Sequence, residues 1–257
     1  MGITDRQKFI EALDSRHSVM FAHIYDLAVQ SEKQKRCVYG DFLSENSIST
    51  LLCRKHFLPL EPVLFGGIDN AERCMVAFLN EYDEPDFPIC AVKVTSARLK
   101  GLTHRDFLGS MLALGIKREK CGDIIINDDE CYLLVHSDIA EFVCSSLEKV
   151  GRIGVKTQLT DLFDVKTAPK KLSPVTGTVS SLRLDAVVSL FSGKGRSSAS
   201  EFISSGLVFV NGICVQKNDM HLQGDETISI RGYGKGTLSL GGKSKKDRIF
   251  VTINKYV

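Results

Sequence analysis

The sequence predicts an α+β protein built from successive domains. A helix-first segment opens the chain, a strand–helix–strand–strand–helix–strand order follows, and two short helices precede a hairpin and a further strand. The length of 257 residues allows two or three domains. We expect an N-terminal α/β domain over 1–84, a middle domain over 85–161, a linker over 162–181 and a C-terminal domain over 182–257.

The N-terminal domain is the hardest to assign. Apolar residues recur at helical spacing through 3–35, and a further helix over 47–57 ends before Pro59. Strand-like EPVLF then leads through the turn GGIDN to AERCMVAFL. Arg73 in that stretch has two interpretations, contact with RNA or a surface ion pair, and the ion pair is favoured.

The middle domain has the clearest order. FPICAVKVTS alternates as a strand, and LTHRDFLGSMLALG follows at helical spacing, with Thr103 as N-cap and Gly115 as stop. Strands CGDIIIN and ECYLLVH flank the turn DD. A second helix is predicted from Ser137 to Gly151, and GVKTQLT closes the set. This βαββαβ order predicts a ferredoxin-like fold, the plan that RNA-recognition domains also use.

A packed structural sheet is favoured over a base-stacking one in this domain. RNA-recognition motifs stack bases on aromatic side chains of the two central strands, whereas here the third strand offers only Tyr132, and Phe87 merely precedes the first. Basic side chains around the first helix are better candidates for a secondary phosphate contact, with a solvated loop as the alternative. These candidates are His104, Arg105, Lys117, Arg118 and Lys120.

The segment 162–181 has the composition of a linker. It is rich in Pro, Lys, Ser and Thr and shows no sustained period. Its Lys170-Lys171 pair either touches phosphate or keeps the connector soluble.

Local signals define the C-terminal domain. One apolar stripe predicts its first helix: Leu184, Val187, Val188 and Phe191. Ser198 and Glu201 have capping-box spacing at a second helix, and Gly206 suits a left-handed stop. Asn211-Gly212 then marks a hairpin. A later strand, TISIRG, completes a helices-then-strands module.

Positive charge is concentrated at this end of the chain. From residue 150 onward, 16 Lys and Arg stand against 8 Asp and Glu, a net charge of +8, and the remainder is at −6. This asymmetry suggests a polyanionic partner, with a solvated basic tail as the alternative. A glycine-rich extension predicts a flexible basic loop inside a closing hairpin, with Tyr233 as a stacking face. A disordered solubilising loop is the rival interpretation.

Neither a metal site nor a membrane segment is predicted. The eight cysteines form no CxxC pair, so buried free thiols in a reducing compartment are expected, without metal or cofactor. The polar N-terminus does not resemble a signal peptide, and no apolar run approaches the ~20 residues that span a bilayer.

The C-terminal module closely resembles the S4 RNA-binding domain. The hallmarks run in order through Arg183-Leu184-Asp185, Arg196, Ala199, Ile203, Gly206, Val208, Val210-Asn211-Gly212 and Gly224-Asp225. The resemblance implies that Arg183, Arg196 and the loop around Lys217 face structured RNA, since an arginine fork can bind phosphate bidentately. With the basic extension, the expected RNA-binding residues are Arg183, Lys194, Arg196, Ser197, Lys217, Arg231, Lys235, Lys243, Lys245, Lys246 and Arg248.

Over nearly its whole length the chain resembles the YlmH family of bacterial S4-domain proteins. The stretches that carry this resemblance are FGGIDNAERCMVAF, THRDFLGSMLALGIKREKCGDIII, KVGRIGVK and SLRLDAVVS. It implies an RRM-like middle domain and a cytoplasmic protein, which we expect to be a monomer. It also implies binding to ribosomal RNA or tRNA on the large ribosomal subunit, in ribosome-associated quality control of stalled peptidyl-tRNA complexes.

Two other function classes stay open. S4 domains accompany pseudouridine synthases, but Asp185 lies in the first S4 helix, where pairing with a basic neighbour is favoured over nucleophilic catalysis. The chain has no recognisable nucleophile elbow, and GGIDNA lacks the lysine of a P-loop. Non-enzymatic RNA binding is therefore favoured over an RNA-modifying enzyme or accessory, and a cell-division scaffold acting through the N-terminal domain is the third hypothesis.

Overall fold

The computed structural model describes residues 4–69, 71–80, 85–167, 172–243 and 247–256. The chain divides into two units, Met1–Ala168 and Pro169–Val257. Within the described ranges, no helix combines the length and apolar character needed to cross a membrane.

The N-terminal part of unit 1 packs three helices around a small sheet. Its elements are α1 (Asp5–Ile10), α2 (Ser15–Gln34), β1 (Val38–Leu43), α3 (Glu45–Arg54), β2 (Val63–Phe65) and β3 (Cys74–Phe78). The three strands are antiparallel in the order β1-β3-β2. The helical character predicted over 3–35 is confirmed, but as two helices, because the chain breaks between α1 and α2, where Ala12 has a φ of 59°. Strand β1 was not predicted.

The middle of unit 1 confirms the ferredoxin-like topology. Its elements are β4 (Ile89–Thr95), α4 (His104–Ala113), β5 (Cys121–Ile126), β6 (Glu130–His136), α5 (Ser137–Ser146), β7 (Lys149–Val150), β8 (Ile153–Gly154) and β9 (Lys156–Thr160). The main sheet is antiparallel in the order β5-β6-β4-β9. Thr103 forms a capping box with Asp106, and Gly115 follows α4 with a φ of 81°. Helix α5 ends before the predicted Gly151, which instead occupies the β7–β8 turn with a φ of 59°.

Both faces of this sheet are covered. Val92, Leu133 and other apolar side chains of its strands pack against α4 and α5. On the opposite face, Phe42 of β1 and Met75 of β3 form a cluster with Ile89 of β4. The N-terminal sheet therefore packs on the face that helices leave open. We keep a domain boundary at 84/85 as a proposal.

Unit 2 places two helices against one extended sheet. Its elements are β10 (Leu172–Val179), α6 (Leu184–Ser192), α7 (Arg196–Ser204), β11 (Val208–Val210), β12 (Ile213–Cys214), β13 (Thr227–Ile230), β14 (Gly234–Lys243) and β15 (Ile249–Tyr256). The six strands lie in the order β10-β15-β14-β13-β11-β12. Gly206 ends the helical segment with a φ of 70°, and Asn211 and Gly212 turn the β11–β12 hairpin at φ 49° and 78°. These three turn predictions are confirmed.

Unit 2 also corrects several expectations. Helix α7 begins at Arg196 with Gly195 as its N-cap, so the predicted capping box at Ser198 and Glu201 is wrong by three residues. The predicted linker over 162–181 contains a 3₁₀ turn, Leu162–Asp164, and all of β10, which pairs with β15 over eight positions. Lys170 and Lys171 lie outside the described residues.

The closing hairpin predicted for the glycine-rich extension is confirmed, with β14 reaching Lys243 and β15 starting at Ile249. Residues 244–246 of the predicted loop lie outside the described residues. Gly236 and Gly234 pair with Ile228 and Ile230 of β13, and β14 then pairs with β15. At Gly236 a side chain would meet the backbone carbonyl oxygen of Asn254 at 2.9 Å, so close strand packing explains this glycine.

Candidate nucleic-acid interface

The α6–α7 turn exposes three of the predicted RNA-binding residues together. Lys194, Arg196 and Ser197 are all exposed. Gly193 ends α6 in the left-handed conformation, with a φ of 67°. The Ser189 hydroxyl donates to the Lys194 carbonyl oxygen over 2.7 Å, which fixes the turn beside the start of α7.

The start of α7 is open to an anion. Gly195 is its N-cap, and no side chain in the described part of the chain caps it. The first N–H groups of a helix have no partner within the helix, and the helix dipole adds positive potential there. Arg196 and Ser197 occupy the first two positions of α7, so a guanidinium and a hydroxyl stand next to those N–H groups. This arrangement suits phosphate.

Arg183 is held by a bidentate ion pair at the start of α6. Its Nε and Nη2 donate to the Asp185 carboxylate over 3.2 and 3.1 Å. Desolvation opposes ionisation of Asp185, but the hydrogen bonds and charge of Arg183, with the charge of Arg196, lower its pKa below the usual value. The expected pairing of Asp185 with a basic neighbour is confirmed. The Arg183 side chain is 38% exposed, so part of its guanidinium remains accessible.

Backbone hydrogen bonds join the Lys217 loop to the same end of α6. The Leu184 N–H donates to the Met220 carbonyl over 2.8 Å, and the Asp185 N–H donates to the Asn218 carbonyl over 3.1 Å. Lys217 itself is exposed. We call the set Arg183, Lys194, Arg196, Ser197 and Lys217 the helical surface.

Four other predicted C-terminal residues make contacts outside the helical surface. The Arg231 guanidinium lies 5.1 Å from the Phe209 ring centroid, and the Lys235 ammonium lies 6.0 Å from that of Tyr256. Lys243 pairs with Asp247 over 2.9 Å. Arg248 donates to the hydroxyl of Thr178 over 3.0 Å. Lys245 and Lys246 lie outside the described residues.

Tyr233 does not form the predicted stacking face. Its ring lies 5.1 Å from that of Phe202, and it packs against the core of unit 2. Phe209 and Tyr256, which were not predicted, hold the ring–cation contacts instead. The alternation of side chains along a strand could have predicted them, because both residues lie on the face opposite the core in strands whose other face is apolar.

The secondary candidates in unit 1 are partly engaged. Lys120 pairs with Asp41 over 2.8 Å and also approaches Asp138. Arg118 donates to the Cys121 carbonyl over 3.1 Å. Desolvation, followed by the charge of Arg118, lowers the pKa of His104. Arg105 and Lys117 are exposed.

The middle sheet lacks an open stacking platform. The Tyr132 side chain is 1% exposed, and its hydroxyl donates to Glu130 over 2.8 Å. Lys93 lies 5.7 Å from the Tyr132 ring centroid and pairs with the same carboxylate. The favoured interpretation, a packed structural sheet, is confirmed at this position.

Arg73 has a structural role that neither earlier interpretation included. Its side chain donates to the carbonyl oxygens of Cys121, Phe42 and Arg118 over 2.8, 3.1 and 3.1 Å. Burial, followed by the charge of Arg118, lowers its pKa to about 10. Arg73 therefore joins β1 to the start of β5. No pattern in the sequence distinguishes this half-buried arginine from a surface one.

The cysteine side chains are free thiols. Two of them, Cys121 and Cys131, are buried, and burial raises the pKa of both. Among the residues that the structure describes, no group of three or more His, Cys, Asp or Glu could hold a metal ion.

Known proteins match this chain in both units. The YlmH RNA-binding-domain model matches residues 83–164, and the S4-domain model matches residues 182–228. The ribosome-associated protein quality control protein P2 of Bacillus subtilis (strain 168) is 35% identical over 195 residues, which is 74% of this chain and 76% of that protein. The chain belongs to the YlmH family.

A solved structure adds a likeness of fold. The cell division protein ylmH from Streptococcus pneumoniae aligns with a TM-score of 0.50 and 19% identity, over 62% of this chain and 98% of that one. For this YlmH-family chain, the S4 match ends within β13, so β10, β14 and β15 lie outside it. The helical surface lies inside the S4 match.

Proposed function

We propose that this chain is a non-enzymatic RNA-binding protein of ribosome-associated quality control. It binds structured ribosomal RNA, tRNA or both on large ribosomal subunits that carry stalled peptidyl-tRNA. It acts as a cytoplasmic monomer without a cofactor. The name of the Bacillus subtilis relative supports the ribosomal context, and the two matched domain types support RNA as the ligand.

The helical surface is the observation that carries this proposal. Lys194 and Arg196 lie at the uncapped start of α7, where Arg196 and Ser197 stand beside N–H groups without a partner in the helix. Arg183 and Lys217 lie at the start of α6. Arg196 is the proposed main contact, because an ordered guanidinium can bind phosphate bidentately. We propose Arg231, Lys235, Lys243, Lys245, Lys246 and Arg248 as further contacts, and His104, Arg105, Lys117, Arg118 and Lys120 as secondary ones.

Catalysis by Asp185 has little support. A nucleophilic carboxylate must reach its substrate, whereas the Asp185 side chain is 10% exposed and both oxygens accept hydrogen bonds from Arg183. A cell-division scaffold is the alternative function, which the name of the Streptococcus pneumoniae protein suggests. Such a scaffold has no reason to follow the large ribosomal subunit.

Co-sedimentation with purified large subunits across a salt series tests the proposal. The protein should bind, and its affinity should fall as salt rises, because phosphate contacts release counterions. Arg196→Ala should weaken binding by about 1–3 kcal/mol and flatten the salt dependence, since a charge-assisted contact is lost. Lys149→Ala, which removes an exposed cation of β7, is the matched control and should bind as the parent does.

Two results would contradict the proposal. Absence of the protein from the large-subunit fraction at low salt would remove the ribosomal function. A folded Arg196→Ala variant with unchanged affinity and salt dependence would show that the helical surface is not the RNA-binding face.

A further inference from the structure

A second surface of unit 2 lies on the other side of its sheet. Strand alternation sends Val208, Ile228 and Leu238 into the core with α6 and α7. The residues between them point to the opposite face. Phe209 pairs with Ser229, and Ser229 pairs with Lys235. We call this face the sheet surface.

Tyr256 completes one row across four strands of the sheet surface. The pairing of Gly236 with Lys255 sets Lys235 beside Tyr256, as the 6.0 Å ring contact shows. Phe209 and Tyr256 therefore lie three strands apart, about 14 Å at the usual strand spacing. Each ring has a cation over it, Arg231 on Phe209 and Lys235 on Tyr256.

Uncharged hydrogen-bonding groups fill the rows beside the rings. Thr227 pairs with Thr237, which pairs with Asn254. The next row pairs Ser239 with Thr252. No residue at these strand positions of the described chain is acidic.

We propose that the sheet surface binds unpaired RNA. Bases stack on Phe209 and Tyr256, while Arg231 and Lys235 contact the phosphates. Aromatic rings beside cations are how proteins hold single strands, because every base has a stacking face and every linkage a charge. The hydroxyl and amide rows can hydrogen-bond base edges and the 2′-hydroxyl groups.

This inference rests on the RNA-binding function proposed above, but assigns a different RNA to a different face. The helical surface presents an uncapped helix start and few rings, which suits the phosphates of a folded RNA. The sheet surface presents separated rings, which suits bases that are free of pairing. Each surface should therefore lose a different ligand when it is mutated.

Fluorescence anisotropy on the full-length protein tests the inference. The probes are an unstructured RNA of about 10 nucleotides, within the usual site size, and a stable RNA hairpin. Phe209→Leu with Tyr256→Leu should lose about tenfold or more in affinity for the unstructured probe and change hairpin binding by less than about twofold. Tyr256→Phe keeps the ring and loses only the hydroxyl that lies 2.8 Å from Thr237, so it should bind nearly as the parent.

Arg196→Ala provides the reciprocal control, with loss of the hairpin and retention of the unstructured probe. A folded leucine double variant that keeps the affinity for the unstructured RNA would overturn the inference. So would a parent protein that binds the hairpin alone, or crosslinks from these two ring positions to a protein partner instead of RNA. Failure to bind either probe would count against the proposed function itself.

Discussion

The middle sheet and the C-terminal sheet contain the same side-chain pair in different surroundings. In the middle sheet Lys93 lies 5.7 Å from the Tyr132 ring centroid, and in the C-terminal sheet Lys235 lies 6.0 Å from that of Tyr256. Tyr132 is 1% exposed and shares Glu130 with Lys93. Tyr256 is partly exposed, on a face whose described strand positions carry no carboxylate.

This difference shows that topology does not decide which sheet keeps an accessible face. The middle sheet has the strand order of an RNA-recognition motif, yet the N-terminal sheet covers the face that such motifs use. The C-terminal sheet is an S4 sheet extended by β14, β15 and β10, and one face of it remains accessible. Burial and neighbouring charge separate a structural lysine–tyrosine pair from one that can meet a ligand.

The largest expected effect is the loss of stability when the buried Tyr132 ring is removed. Tyr132→Ala should lower the free energy of unfolding of unit 1 by about 3–5 kcal/mol, because a buried aromatic side chain leaves a cavity. Tyr256→Ala removes the matching ring from the exposed pair and should cost about 1 kcal/mol. Urea unfolding followed by circular dichroism measures both. Equal losses would show that the two rings are equally buried.

A smaller loss is expected where the two sheets of unit 1 meet. A side chain at Gly122 would lie 2.8 Å from the Phe42 ring and 3.1 Å from Leu134. Gly122→Ala should therefore destabilise unit 1 by about 1–3 kcal/mol through overpacking. Gly154→Ala is the control, because nothing lies within 4 Å of the added carbon. Thermal unfolding of both variants checks the prediction, and a neutral Gly122→Ala would contradict close packing there.

The contacts of Glu130 with Lys93 and Tyr132 predict that the stability of unit 1 depends on pH. Hydrogen bonds from Lys93, then from Tyr132, lower the pKa of Glu130 to about 2, from an ordinary value of 4.5. The ionised carboxylate therefore contributes stability fully above pH 4.5, and that contribution is lost as the pH falls towards 2.

Urea unfolding as a function of pH measures this contribution. The parent should be more stable than Glu130→Gln at neutral pH, and the difference should shrink between about pH 4.5 and pH 2. Asp247→Asn is the control, since its side chain is 82% exposed and its surface pair with Lys243 contributes little. A difference that is constant across this range would contradict the assigned role of Glu130.

The sequence predicted the turns whose backbone conformation depends on the residue type at that position. Gly206, Asn211 and Gly212 have backbone conformations that favour these residue types, so their turns could be placed. Strand β10 could not, because its pairing with β15 joins distant residues and Pro174 argues against a strand. Pro174 is tolerated since β10 lies at the sheet edge.

The candidate site was predicted less completely than the fold. Lys194, Arg196 and Ser197 were expected near one helix start, and the structure brings them there. The separation of Arg231 and Lys235 onto the sheet surface depends on strand register, which single residues do not reveal. The structural use of Arg73 depends on carbonyl groups from three separate segments.

The most direct test of the account compares two double variants in large-subunit binding across a salt series. Lys194→Ala with Arg196→Ala removes two exposed cations from the helical surface, and Arg105→Ala with Lys117→Ala removes two from the middle domain. The first should lose at least about tenfold in affinity, with a salt slope lower by roughly 1–2, whereas the second should lose less than about threefold. Folded variants with the opposite order of losses would place the main RNA-binding site on the middle domain and contradict the account.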